Sequence, residues 1–169
     1  MENIIREFEK TEKELSVIFS KFSAAETNKS TSPQSWTAAQ VAEHIIKSQS
    51  NFPQLMKGHS FPTKRDPEEK REKIRKMFLD FSTKMRSPDF ILPAEEDHDK
   101  MLVLDQIEGK RSEISGALKS ADLSRTYSDF ELPGFGPFTG YEWGWFIIYH
   151  TQRHIHQLKN LAKELGIAD

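Results

Sequence analysis

Apolar residues recur every three or four positions through most of the chain, which is the spacing of amphipathic helices. Five stretches carry this pattern, and polar or proline-containing segments separate them. The stretches predict helices over residues 4–22, 37–57, 66–87, 99–121 and 139–165. Pro53 falls inside the second stretch and is expected either to kink that helix or to end it early.

Two of the predicted helices begin with a capping box, in which a hydroxyl residue precedes a Glu or Gln by three positions. Thr37 is followed in this way by Gln40, and Thr139 by Glu142. Gly166 comes directly after the last apolar position of the final stretch and is a typical helix stop. These signals define the start of the second helix and both ends of the fifth.

The aromatic segment 127–138 holds two glycines and two prolines within residues 133–137, which excludes a regular helix there. No stretch shows a convincing strand pattern, an internal repeat or low complexity. The pattern therefore predicts an all-α fold, an antiparallel four-helix bundle with one additional short or flanking helix. We expect residues 1–169 to form a single domain.

The composition indicates a folded protein and narrows its chemistry. Hydrophobic residues make up 36% of the 169 residues and include 12 Phe and 3 Trp, which is enough for a sizeable core. The net charge of −2 disfavours a nucleic-acid binder, because such proteins need a basic surface. Since the chain has no cysteine, it has no disulfide, thiolate ligand or cysteine nucleophile, and any thiol in the chemistry must come from another molecule.

The distribution of apolar residues also bears on location. The N-terminal segment is charged and shows no apolar signal region. The most apolar stretch, residues 143–149, is far shorter than the roughly 18 residues that a membrane span needs. We therefore expect a cytoplasmic protein without a membrane partner.

Two histidines interrupt the apolar stripe of the last predicted helix. His150 and His154 are one turn apart, about 6 Å along the helix axis, so both imidazoles can face one metal ion. The same spacing also fits core histidines bonded to backbone carbonyls, so the pair alone leaves both interpretations open. The H-E-x-x-H motif of zinc proteases is excluded, because Thr151 follows His150.

A metal site needs a third ligand from elsewhere in the chain. His44 is the leading candidate, because it lies two turns into the second helix beside its apolar face. A partly exposed histidine is the alternative interpretation at that position. The remaining histidines are expected at the surface: His59, His98 and His156.

Two segments resemble the DinB-like (YfiT-like) superfamily. Residues 36–44, WTAAQVAEH, are similar to its early helix, and residues 136–158, from GPFTGYEW to HTQRHIHQL, look like its last helix. The resemblance implies a four-helix bundle with a divalent metal at one end of its core. The resemblance places the family's three metal ligands on His44, His150 and His154. Members of the family include transferases and isomerases that use low-molecular-weight thiols.

The resemblance predicts a metal-dependent enzyme with a small-molecule substrate, either a thiol-dependent S-transferase or a hydrolase. No residue beyond the three histidines is singled out as catalytic. The alternatives are a metal-binding bundle without catalysis and a metal-free helical interaction protein with structural histidines.

The expected cofactor is a divalent metal ion. Imidazole ligands suit zinc, nickel, copper and iron alike, and among these zinc is our first candidate and nickel the second. An external low-molecular-weight thiol is a further candidate. Metal ligation requires neutral imidazoles, so we expect the metal affinity to weaken as the pH falls through about 6.5.

The last predicted helix is apolar around much of its circumference. Trp143 and Ile147 occupy its inward stripe, whereas Trp145 and Ile148 must face elsewhere. This second apolar surface predicts a homodimer, since two-fold dimers are the commonest soluble homo-oligomers and DinB-like proteins often dimerise. Cover by the extra helix or by the aromatic segment of the same chain is the alternative.

Overall fold

The computed structural model describes residues 2–167, which form seven helices, one 3-10 turn and three short strands. The helices are α1 (Glu2–Ser20), α2 (Ala24–Thr27), α3 (Ala38–Gln49), α4 (Phe52–Leu55), α5 (Arg71–Leu79), α6 (Lys100–Ser120) and α7 (Gly140–Glu164). The 3-10 turn covers Asp89–Ile91, and the strands are β1 (Ser60–Phe61), β2 (Thr126–Leu132) and β3 (Gly136–Thr139).

Helices α1, α3, α6 and α7 form a four-helix bundle. Within it, α1 and α3 each pack against both α6 and α7. Helix α5 packs along the outside of α7. The predicted bundle with a flanking helix is therefore confirmed. Among residues 2–167, every helix is too short or too polar to span a bilayer.

The prediction of a strictly all-α fold is wrong, because a small antiparallel sheet with the order β1-β2-β3 lies beside the bundle. The aromatic segment that was expected to be irregular forms the hairpin of β2 and β3. Its glycines make the turn, since Gly134 and Gly136 have φ of 81° and 64°, values that favour glycine. The strands are short. β1 pairs with a strand that is remote in the chain, and β2 pairs with β3 through a tight turn, so their sequences show no alternation of apolar and polar residues that would predict strands.

Two predicted helices are shorter in the structure than in the sequence pattern. The second ends at Gln49 and is followed by the single turn α4, where Pro53 occupies a first-turn position that needs no backbone donor. The third is helical only over Arg71–Leu79. Both predicted capping boxes are present, at Thr37 and at Thr139.

The buried apolar side chains form two clusters along the bundle. One contains Ile4 and Phe8 of α1 together with the residues from Trp143 to Tyr149 of α7 that face inward. The other contains Leu15 and Phe19 of α1 together with later residues of α7. Between these stretches, both helices bury polar side chains instead: Thr11 and Glu12 on α1, and His150, Thr151 and His154 on α7.

The second apolar surface of α7 is covered within one chain. Trp145 and Ile148 are 3% and 0% exposed. The Arg71 guanidinium of α5 lies 3.7 Å from the centre of the Trp145 ring, and the indole nitrogen donates a hydrogen bond to Glu68. Arg71 and Glu68 thus cover Trp145, and Ile148 is buried as well, so the apolar surface that suggested a dimer is already covered within one chain. The homodimer stays a prediction, but the second apolar surface of α7 no longer supports it.

Glu12 is a buried carboxyl group on the face of α1 that packs in the bundle. Its Oε1 accepts a hydrogen bond from the side-chain nitrogen of Gln49 at 2.8 Å, whereas its Oε2 has no hydrogen-bond partner among residues 2–167. Burial raises the pKa of Glu12 from 4.5 to about 7, against the opposing effect of its hydrogen bonds and of Arg111.

We expect this carboxyl group to make folding pH-dependent. Because the folded protein holds the Glu12 proton more tightly than the unfolded chain, stability is lost as the pH rises from about 4.5 through about 7, by about 3 kcal/mol in all. Glu12→Gln should remove this loss and raise the free energy of unfolding at about pH 8, as measured by urea denaturation across pH.

Glu9→Gln is the matched control, because Glu9 lies on the same helix but its Arg111 partner contributes to a lowered pKa. That change should not stabilise the protein at high pH. Equal pH dependence in wild type and Glu12→Gln would contradict the assignment of the buried carboxyl group.

Candidate metal centre

The three histidines that the sequence singled out converge between α3 and α7. His44 Nε2 lies 3.2 Å from His150 Nε2, and His154 Nε2 lies 3.1 Å from the same atom. The three side chains offer nitrogens that all lie within 4.8 Å of one another. They are 2%, 7% and 8% exposed, so His44 points inward and is not the partly exposed histidine of the alternative interpretation. Their role as metal ligands stays a prediction.

The other ring nitrogen of two of these histidines faces an oxygen that can only accept. His44 Nδ1 lies 3.0 Å from the backbone carbonyl of Ile91. His154 Nδ1 lies 2.9 Å from the amide oxygen of Gln157. Since neither oxygen carries a hydrogen, Nδ1 is the donor in both contacts and carries the ring proton.

The hydrogen bonds of Ser48 fix the proton of the third ring. The Ser48 hydroxyl donates to the carbonyl of Ile45 at 2.7 Å. Its oxygen lies 3.2 Å from His150 Nδ1, so it accepts a hydrogen bond from that nitrogen. All three Nδ1 atoms therefore carry the proton, and all three Nε2 atoms present a lone pair.

The resulting arrangement sets three acceptors against one another at the centre of the cluster. Two Nε2 lone pairs about 3 Å apart repel, and no proton of these neutral rings lies between them. A cation placed among the nitrogens would turn the repulsion into three attractive contacts. This donor set therefore fits a metal ion, and its Nδ1 hydrogen bonds are of the kind that fix ring orientation in metal sites.

The environment keeps the imidazoles neutral. Burial lowers the pKa of His154 from 6.5 to about 4. Burial also holds the pKa of His150 well below 6.5, with a further contribution from the neighbouring His154 and His44, and it lowers the pKa of His44. Neutral rings at neutral pH are the protonation state that metal binding requires.

These shifts move the expected pH window of metal binding to lower pH than the 6.5 of an ordinary histidine. We expect the affinity to change little from about pH 8 through about pH 6.5, and to fall only as the pH approaches and passes the lowered pKa values of the ligands, which for His154 is about 4. Competition titrations with a chromophoric chelator at a series of pH values measure this. A transition centred on pH 6.5 would contradict the burial effect.

A segment next to the 3-10 turn holds the acceptor of His44 in place. The Gln40 side chain donates to the carbonyl of Ala94 at 2.9 Å, and Glu43 accepts from the Ala94 nitrogen at 2.7 Å. Glu43 also lies 3.0 Å from His98 Nε2. His98, expected at the surface, is thus half-buried in this anchor. These contacts pin residues 91–98 to α3 and fix the position of the Ile91 carbonyl.

The remaining histidines lie apart from the cluster. His59 is exposed, as expected, and pairs with Asp129 at 2.9 Å. His156 is half-buried and stacks on Phe81, with ring centres 4.0 Å apart.

The sequence marks only some of the groups that orient the ligands. Ser48 lies one turn after His44, and Gln157 lies three residues after His154. Both spacings place a polar side chain on the same helix face as a histidine, so helical spacing could have indicated them. The Ile91 carbonyl is 47 positions from His44, and nothing in the sequence predicts that the two are in contact.

Comparisons with known proteins identify the family and the fold. The family model of the DinB superfamily matches residues 7–158, a span that holds all three histidines. The structure is similar to that of YfiT from Bacillus subtilis, with a TM-score of 0.64 and 14% identity over 99% of this chain and 88% of that one. YfiT is described as a probable metal-dependent hydrolase with an unusual four-helix bundle topology. The comparison with curated proteins gave no match.

Proposed function

The chain belongs to the DinB superfamily, and from this premise we propose that it is a metal-dependent enzyme whose divalent ion is held by His44, His150 and His154. The observation that carries the proposal is the convergence of three buried histidine side chains, whose Nε2 atoms lie 3.1 and 3.2 Å apart and whose Nδ1 atoms each face an oxygen. A set of hydrogen-bonded structural histidines would place a donor against an acceptor in each contact, and this set does not.

The donor set also favours a reactive ion over a structural one. Three neutral imidazoles leave the charge of a divalent ion uncompensated and occupy three positions, as in catalytic zinc sites that keep one position open. Such an ion supplies a Lewis acid that lowers the pKa of a water molecule or thiol. Zinc is the first candidate and nickel the second, since imidazole suits both.

Hydrolysis is the reaction that we propose first. The likeness to YfiT, described as a probable metal-dependent hydrolase, supports it. Transfer of a thiol is the second candidate, because the absence of cysteine from the chain leaves an external low-molecular-weight thiol free of competing thiolates at the site. In both reactions the role of His44, His150 and His154 would be to hold the ion.

Metal content and turnover test the proposal together. Protein purified without a histidine tag should carry one equivalent of zinc or nickel by mass spectrometry. It should hydrolyse members of an ester and amide panel, or conjugate a thiol to an electrophile, at rates that His154→Ala abolishes and His59→Ala preserves, because His59 is exposed and lies outside both the histidine cluster and the cavity beside it. Absence of bound metal after supplementation would overturn the proposal. Metal without either activity would establish the non-catalytic metal-binding bundle instead.

A further inference from the structure

The three histidines open onto a large cavity in the surface of the bundle. Its volume is about 1770 Å³, above the roughly 300–1,000 Å³ of ordinary small-molecule sites. Aromatic rings surround the histidines in its wall. Trp36 lies 5.0 Å from the ring centre of His44, and Phe78 and Phe146 lie 5.2 Å and 5.9 Å from that of His150.

Exposed apolar side chains gather around the same cavity. Of the nine large hydrophobic residues that are exposed among residues 2–167, five line it, with exposures from 41% to 72%. They are Phe81, Met85, Phe90, Leu92 and Phe130. Single exposed apolar residues are ordinary on a protein surface, whereas a contiguous group indicates a binding surface.

We propose that this cavity binds an elongated amphiphile, whose aliphatic or aromatic body lies along the apolar wall and whose polar reactive group reaches the histidines. The inference rests on the proposed function for the part of the ligand that reaches the histidines. The apolar body of the ligand is inferred from the side chains of the cavity wall alone. A concave cavity with the histidines in its wall suits a small molecule better than a second copy of the chain, since a copy seated there would block access to them.

Binding of primary alcohols of increasing length tests the apolar wall apart from the metal. Hexanol, octanol and decanol carry no charge, and their binding to the full chain is measured by calorimetry and by tryptophan fluorescence, with and without zinc. Affinity should rise about fourfold for each buried methylene. The slope should be the same in both conditions, because the apolar wall does not include the ion.

Variants of exposed phenylalanines provide the matched comparison. Phe81→Ser and Phe90→Ser should each weaken decanol binding by about tenfold. Phe61→Ser should leave it unchanged, because Phe61 is 47% exposed, close to the 49% of Phe81, but lies outside the cavity.

Several outcomes would overturn the inference: affinity that does not depend on chain length, an equal loss in Phe61→Ser, or a dimer in sedimentation that dissociates as decanol binds. If the protein binds no metal but its affinity for the alcohols still rises with their length, the proposed function is overturned and the apolar binding site is retained.

Discussion

Replacing His154 by alanine should remove tight metal binding from the protein. The change leaves two nitrogens, on α3 and α7, where three converge. If three ligands share equally the roughly 10–16 kcal/mol with which proteins hold structural zinc, losing one weakens binding on the order of a thousandfold. Competition with a chelator and metal content after dialysis measure the loss.

His156→Ala is the matched control, because His156 lies on the same helix but outside the cluster. It should keep wild-type affinity. His44→Ala tests the ligand set from the other helix and should match the loss in His154→Ala. Stoichiometric metal in His154→Ala, with circular dichroism showing a folded protein, would contradict the three-histidine site.

Replacing Arg65 by alanine should destabilise the protein by about 3–5 kcal/mol, because it leaves a buried carboxylate without its charge partner. The two terminal nitrogens of Arg65 donate to the two oxygens of Glu142 at 2.6 and 2.7 Å. The Glu142 side chain is 0% exposed. Its oxygens also accept from the backbone nitrogens of Lys70 and Thr139, but those donors carry no net charge.

The free energy of unfolding from urea denaturation at pH 7 measures this effect. Arg75→Ala is the control, since Arg75 and Glu72 form an ion pair with both side chains exposed, and it should change stability little. Arg65→Ala combined with Glu142→Gln should recover part of the loss, because the variant no longer buries a charge. Similar stabilities for Arg65→Ala and Arg75→Ala would show that the buried pair is no stronger than an exposed one.

The features that sequence alone predicted are those with a local signal. The capping boxes at Thr37 and Thr139 involve residues three positions apart, and both are present. His150 and His154 lie on one stripe of one helix, and periodicity placed them on its inward face. His44 needed the resemblance to a family, because its own stripe left its orientation open.

The features that sequence missed depend on contacts between remote segments. β1 pairs with β2 across more than sixty positions, with Ser60 opposite Tyr127. The dual role of Glu142, which caps α7 and pairs with Arg65, looked like capping alone. Glu12 lies on the apolar stripe of α1. A carboxyl group at such a position indicates a buried polar contact, which the periodicity of apolar residues does not reveal.

The separation of His44 and His150 along the chain determines when, during folding, the proposed metal site can form. The two residues are 106 positions apart, so the site does not exist until α3 and α7 have packed against each other. An ion that binds only the folded chain at a hundred times its dissociation constant adds about 2.7 kcal/mol to stability. At the proposed site, loading would therefore follow the docking of α3 against α7, and we expect protein produced without the metal to be less stable and less abundant.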